Sequence, residues 1–324
     1  MQCNHLRTAA AFVAALGGMA LMMAPASAQS GAATGAAGLP IPTTVFTSNE
    51  HISFDRPEAW GLKYFAAATL LSGLEPADSG EEHHPWSINV GLETGWLPTL
   101  NAGQEKIGFN GTAPENLNQA PVFIRPVVRI GLPWKLKALV AAPPPVEVFG
   151  ITPRLLAFGL ERPIAERRNL TVGWRGYGQV GFVKGAFTCP NSVLAFPPGS
   201  PGNPEGCLAA SNDKATLRYA GGELQASYKI PRAPRLVPHA TVGGTFVDGV
   251  FQVEAIDHVV DHSHLWTHGG ILSATGGLSY LLTQRIAFTV DVFYSPLEVK
   301  RSPTSPLTND GLFNVRALLS YTFR

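Results

Sequence analysis

The sequence predicts an all-β fold: a transmembrane, antiparallel up-and-down β-barrel preceded by one helix. Three observations carry this. First, residues 285–324 alternate with period two. Ile286, Phe288, Val290, Val292 and Tyr294 share one face, and Ala287, Thr289, Asp291, Phe293 and Ser295 the other. After a polar loop the pattern restarts, with Phe313, Val315, Ala317, Leu319, Tyr321 and Phe323 against Asn314, Arg316, Ser320 and Thr322. Second, the apolar face ends in aromatics while the opposite face carries the full charges of Asp291 and Arg316. A soluble sandwich turns its charges to bulk water. A membrane barrel turns them into its lumen and sets aromatics at the lipid boundary. Third, runs of about ten residues suit tilted strands crossing a bilayer, and past Ala28 no stretch of about eighteen apolar residues could form a spanning helix.

The start of the chain reads as an export signal. His5 and Arg7 precede an apolar run over 9–23, and Ala26-Ser27-Ala28 makes a small-x-small cleavage site, which assigns 1–28 to a signal peptide. Residues 29–54 read as a linker rich in Gly, Ala, Thr and Pro. The 24 Lys and Arg against 23 Asp and Glu leave the chain nearly neutral, which argues against nucleic acid as a partner. Of three cysteines, Cys3 leaves with the signal. Cys189 and Cys207 flank a loop rich in Pro, Gly and Ser that contains no His, so a disulfide is expected in place of a metal pair or catalytic thiol.

Residues 55–73 predict a helix. Asp55-Arg56-Pro57-Glu58 has the form of a capping box, an alanine-rich run follows without a breaker, and Gly73 supplies a stop. Apart from Lys63 this helix is apolar nearly all round, so it should be buried at the barrel's mouth or in its lumen, with Lys63 paired to an inward carboxylate or reaching the wet rim. From Trp86 onward the strand pattern is regular, assigning 86–324 to the barrel. The count is ten strands, or twelve if 56–72 is itself a strand. Longer connections (101–119, 143–150, 187–213, 257–266, 300–310) alternate with short turns (132–134, 163–168, 231–235, 283–285), as in barrels with long loops at one end only.

The alternation places Glu93, Arg125, Arg129, Lys137, Glu161, Arg175, Glu223, Lys229, Asp291 and Arg316 toward the lumen. A barrel of about ten strands encloses little space, so these groups either interlock as ion pairs that fill it or line a narrow, slightly cationic passage for small anions. A second candidate is DHVVDHSHLWTHG, read as one external loop. His258, His262, His264 and His268 there, with Asp257 and Asp261, have the chemistry to hold zinc, nickel or copper, the alternative being a solvated, pH-responsive loop. Glu81-Glu82-His83-His84 reads as a solvated turn.

The segment 285–324 resembles the closing hairpin of bacterial outer-membrane β-barrel proteins. In that group an aromatic-ended last strand is implied to be the assembly signal. Tyr321 and Phe323 match it, although Arg324 follows. The resemblance implies the outer membrane as location, with its lipid and the barrel-assembly machinery as partners, and names no solute. The Asp-His pair is also similar to that of ten-stranded outer-membrane aspartyl-type proteases. Their chemistry needs a facing acidic pair, for which Glu105, Glu115 and Asp213 are loose candidates. The expectation is therefore a non-enzymatic barrel without cofactor, structural or a narrow pore for small polar or anionic solutes. An outer-membrane enzyme or surface metal-binding barrel is the alternative. Arginine at Val290 or Ala317 should disrupt the lipid face, whereas Thr289, on the lumen face, should accept it better.

Overall fold

The computed structural model describes residues 44–76 and 85–323. The signal peptide, most of the linker and the Glu81-Glu82-His83-His84 run lie outside the described residues. Ten strands form the wall: β1 (Ile88–Trp96), β2 (Val122–Gly131), β3 (Lys137–Ala141), β4 (Ile151–Arg167), β5 (Leu170–Gly185), β6 (Asp213–Tyr228), β7 (Leu236–Gln252), β8 (His264–Leu281), β9 (Ile286–Ser295) and β10 (Leu312–Phe323). Each pairs with its neighbours in sequence, β1 pairs with β10, and β7 pairs with β8 over its full length, so the antiparallel sheet closes without an edge.

The wall is inverted relative to a soluble protein. Leu156, Phe158, Leu160, Val242, Leu272 and Phe288 stand exposed on the outside, while Arg125, Glu161, Arg175, Asp291 and Arg316 are buried. Such a continuous apolar exterior is stable only against lipid. Aromatics bound it at both ends. Trp86, Trp134, Tyr228 and Tyr280 lie toward the short turns, and Trp96, Trp266, Tyr294 and Phe313 toward the long loops. The loop end is stapled by the Cys189–Cys207 disulfide. On a chain-entropy basis a closed loop of this size contributes roughly 3 kcal/mol.

Helix α1 (Pro57–Ala68) is buried along its whole length, Lys63 included. It begins with Pro57 in its first turn and lacks the expected capping box. Arg56 is the N-cap and no side chain caps it. The Asp55 carboxylate is instead engaged by Ser53 and by Lys300 Nζ at 2.6 Å. The helix also ends before Gly73, at Thr69, whose hydroxyl donates back to the Phe65 carbonyl at 2.9 Å. Residues preceding α1 lie on the long-loop end, where Val45–Phe46 pairs with Val260–Asp261 and Asn49–His51 pairs with the start of β8. Residues 69–75 then descend inside the barrel toward the short turns, from Arg125 to Arg129 of β2. The N-terminal segment thus runs down the lumen before the chain enters the wall at β1.

The packed interior revises one expectation. Thr289 is buried with its hydroxyl 2.7 Å from that of Ser279, so an arginine there would overpack the lumen. Val290 points outward opposite Ala317. Arginine at either outward site is expected to cost roughly 2–4 kcal/mol in equilibrium unfolding from lipid, and Thr289→Arg at least as much. A neutral effect of Val290→Arg would place that face away from the bilayer core.

Candidate functional site

The wall strands spend their own backbone groups on one another, but residues 69–75 have no strand neighbour. Buried amides and carbonyls must still be satisfied, and here the inward side chains do it. Arg316 on β10 donates to three carbonyls: Leu70 at 2.8 Å, Ser72 at 3.2 Å and Ala67 at 3.1 Å. Its guanidinium lies 4.2 Å from the Phe293 ring centroid. Arg125 on β2 donates to the Thr69 carbonyl at 2.8 Å and holds Glu93 of β1 at 2.6 Å. Arg175 on β5 donates to the Gly73 carbonyl at 2.5 Å while gripping Glu161 at 2.7 Å and Glu223 at 2.9 Å.

The acids take the amides. Glu223 accepts from the Ser72 hydroxyl at 2.6 Å and the Gly73 amide at 3.3 Å, and Asp291 accepts from the Leu74 amide. Asp291 also lies 2.7 Å from Nε2 of His239 on β7. Gly73 has φ near +71°, and a Cβ there would press on Thr275 and Asp291, so this crossing needs glycine. Below it, Arg129 pairs with Glu75 of the segment itself at 2.6 Å. Hydrogen bonds to charged groups stabilise by roughly 1.5–3 kcal/mol each, so the segment is clamped along its path.

The positions read as lumen-facing separate into two groups. Glu93, Arg125, Arg129, Glu161, Arg175, Glu223, Asp291 and Arg316 are fully buried inside the barrel. Lys137, first in β3, is half-buried near the short turns, 3.7 Å from Glu161. Lys229 is not in a strand: pairing ends at Tyr228 with Leu170, and Lys229 lies in the following turn, its amide donating to Asn169. With Glu75 added from the plug, five cationic groups (Lys137 and the four arginines) face five acids (Glu75, Glu93, Glu161, Glu223, Asp291). Among these described residues the charges are balanced and not cationic.

The four histidines are not brought together, because their stretch is not one loop. His264 and His268 belong to β8, His268 standing on its outer face 3.4 Å from His51, while His258 is an exposed loop residue paired to Asp257 at 3.4 Å. Among the described residues no three His, Cys, Asp or Glu side chains converge on a metal-sized point. Sequence reasoning missed Glu75, Ser72, Tyr219 and His239. Tyr219 donates to the Thr69 carbonyl at 2.9 Å. Alternation alone would have placed Tyr219 and His239 on the inner face, but nothing local marks Glu75 as a plug residue.

Lys63 finds no carboxylate. Its ammonium donates to the Glu298 carbonyl and lies 4.6 Å from the Phe54 ring centroid. Burial pushes its pKa down to about 8, with Asp55 and Glu298 offsetting only part of the shift.

A closed ten-stranded antiparallel wall, apolar outside and ionic inside, is the fold of bacterial outer-membrane β-barrels. No protein-family model matches the chain, and no curated protein matches it in sequence. Solved structures that resemble it are barrels of this class. They include the outer-membrane protease OmpT from Escherichia coli (9% identity, 75% of this chain and 98% of that chain covered, TM-score 0.35). Neisserial surface protein A (8%, 73% and 96%, 0.31) and the Pseudomonas putida toluene transporter TodX (12%, 77% and 92%, 0.31) also match. These likenesses concern the fold.

Two outcomes test the site. Arg175→Met leaves two buried carboxylates without their shared cation and is expected to cost roughly 3–5 kcal/mol. Removing Arg218, exposed and 4.0 Å from Asp248, should cost about 0–1 kcal/mol in the same denaturation series. For Lys63, the unfolded chain holds the proton more tightly, so stability rises with pH from about 8 to the ordinary value of 10.5. Wild type should gain on Lys63→Met across that window. A flat difference would mean the ammonium is not desolvated.

Proposed function

We propose that this protein is a structural outer-membrane barrel kept shut by its own N-terminal segment, not a conducting pore and not an enzyme. The observation that carries this reading is the clamping of residues 69–75 across the lumen by Arg125, Arg175, Arg316, Glu223 and Asp291. A passage for small anions needs free space and unpaired cationic groups along the axis. Here the axis is occupied by backbone and the charges are balanced. The aromatic and ionic docking of α1 adds to the closure: Trp60 donates to the Asp310 carbonyl at 3.0 Å, under the guanidinium of Arg301. The role then belongs to the loop end of the barrel.

Planar-bilayer recording decides the matter. The full chain is expected to pass no steady current, and a variant lacking residues 44–73 should conduct while keeping the heat-modifiable gel mobility of a folded barrel. Steady current through the full chain would overturn the reading. So would a folded deletion variant with unchanged conductance.

A further inference from the structure

At the long-loop end, above the clamped segment, α1 and the loops enclose a cavity of about 300 Å³. Phe46, Leu62, Phe65, Ile107, Phe251 and Leu265 contribute to its walls. Polar residues complete the lining, and of these Glu115 and Thr188 are the pair that also faces the disulfide loop. Glu115 is only 6% exposed, and among the described residues its Oε2 makes no hydrogen bond of ordinary geometry, while the Thr188 hydroxyl is shared between the Glu115 and Asp213 carboxyls. A buried polar atom left without a partner costs roughly 1–3 kcal/mol, which marks a place where a partner can come from outside. The carboxyl is also seated close to the main chain: a Cβ on Gly108 would collide with Glu115 Oε1. The same two side chains line a second cavity of about 200 Å³ beside the disulfide loop.

The charges around the cavity select its ligand. Arg56 lies on the rim but is already engaged by Glu50 at 2.6 Å and Glu58 at 2.9 Å, so it offers no free guanidinium to an anion. Asp261 adds a further acid. Burial raises the Glu115 pKa well above its ordinary value, the nearby Asp213 adding to it and Thr188 opposing it.

We propose that this cavity binds a small, uncharged, mostly apolar molecule bearing one hydroxyl, with its body against the phenylalanines and its hydroxyl on Glu115 Oε2. An apolar cavity of about 150 Å³ already accepts benzene, so the volume here suits a ring with a short alkyl substituent. The cavity lies beside α1 and not along residues 69–75, so the proposal stands or falls apart from the closure of the lumen.

The probes are 4-ethylphenol and ethylbenzene, titrated calorimetrically into the full chain in lipid nanodiscs, with empty nanodiscs correcting for partition. Saturable binding of 4-ethylphenol, about tenfold or more tighter than ethylbenzene, is expected, because a site built around a hydroxyl partner rejects the analogue that lacks it. Glu115→Leu should abolish that preference while raising thermal stability, since it removes the orphaned carboxyl. A merely structural Glu115 would instead lower stability when replaced. Phe251→Trp, which fills the cavity and leaves Glu115 in place, should prevent 4-ethylphenol binding and serves if Glu115→Leu fails to fold. Absence of saturable binding, equal affinity for the two probes, or an undiminished preference in Glu115→Leu would overturn the proposal.

Discussion

Capture of backbone carbonyls by arginine, deep inside the barrel, is the interaction on which the rest of this molecule depends. An irregular segment can cross such a space only if every amide and carbonyl finds a partner. Guanidinium suits the task because it carries five donors in a rigid fork and keeps its charge when buried. Arg125 and Arg175 each use one side of the fork for a wall carboxylate and the other for the segment, while Arg316 turns its terminal nitrogens wholly to the segment. Lysine, whose three donors share one nitrogen, lacks the fork to bridge in this way. Because these pairs are buried, added salt should screen them little.

The clamp explains features above it that would otherwise be costly. Helix α1 lacks a side-chain N-cap and buries a lysine, both unfavourable by themselves. It is held because the Ala67 carbonyl in its last turn is taken by Arg316 and its flank packs on loop aromatics such as Phe187, 5.2 Å from Phe65 between ring centroids. Cationic groups at a helix C-terminus also complement its dipole. The loops in turn rest on the helix, so wall, segment and mouth form one dependent stack.

Much of this was legible in the sequence, for definite reasons. Period-two alternation marks the two faces of a strand regardless of the partner, so Val290 outside and Asp291 inside could be read directly. The aromatic ends of the strands and the cysteine pair are equally local signals. What was not legible is set by contacts between residues far apart in sequence. Lys229 has the right parity for the lumen, but pairing stops one residue earlier. The histidines looked like one loop because β8 begins with polar residues that pair with β7 and Asn49–His51. Asp55 looked like a cap, but Lys300, distant in sequence, claims its carboxylate. No pattern within 69–75 announces that its backbone will be held by arginines from three strands.

The path of the N-terminal segment also constrains the order in which the molecule can assemble. It lies within a ring of strands that has no edge, pairs with that ring at the loop end through Asn49–His51, and passes into it at β1. Drawing a free chain end through a finished ring would mean passing it between inward charges that had been left unsatisfied until it arrived. Zipping the last seam around a segment already in place forms the seam and the ion pairs together. The segment is then a mandrel for the sheet, and the arginines that look like a lock in the finished molecule act first as the template on which the strands gather.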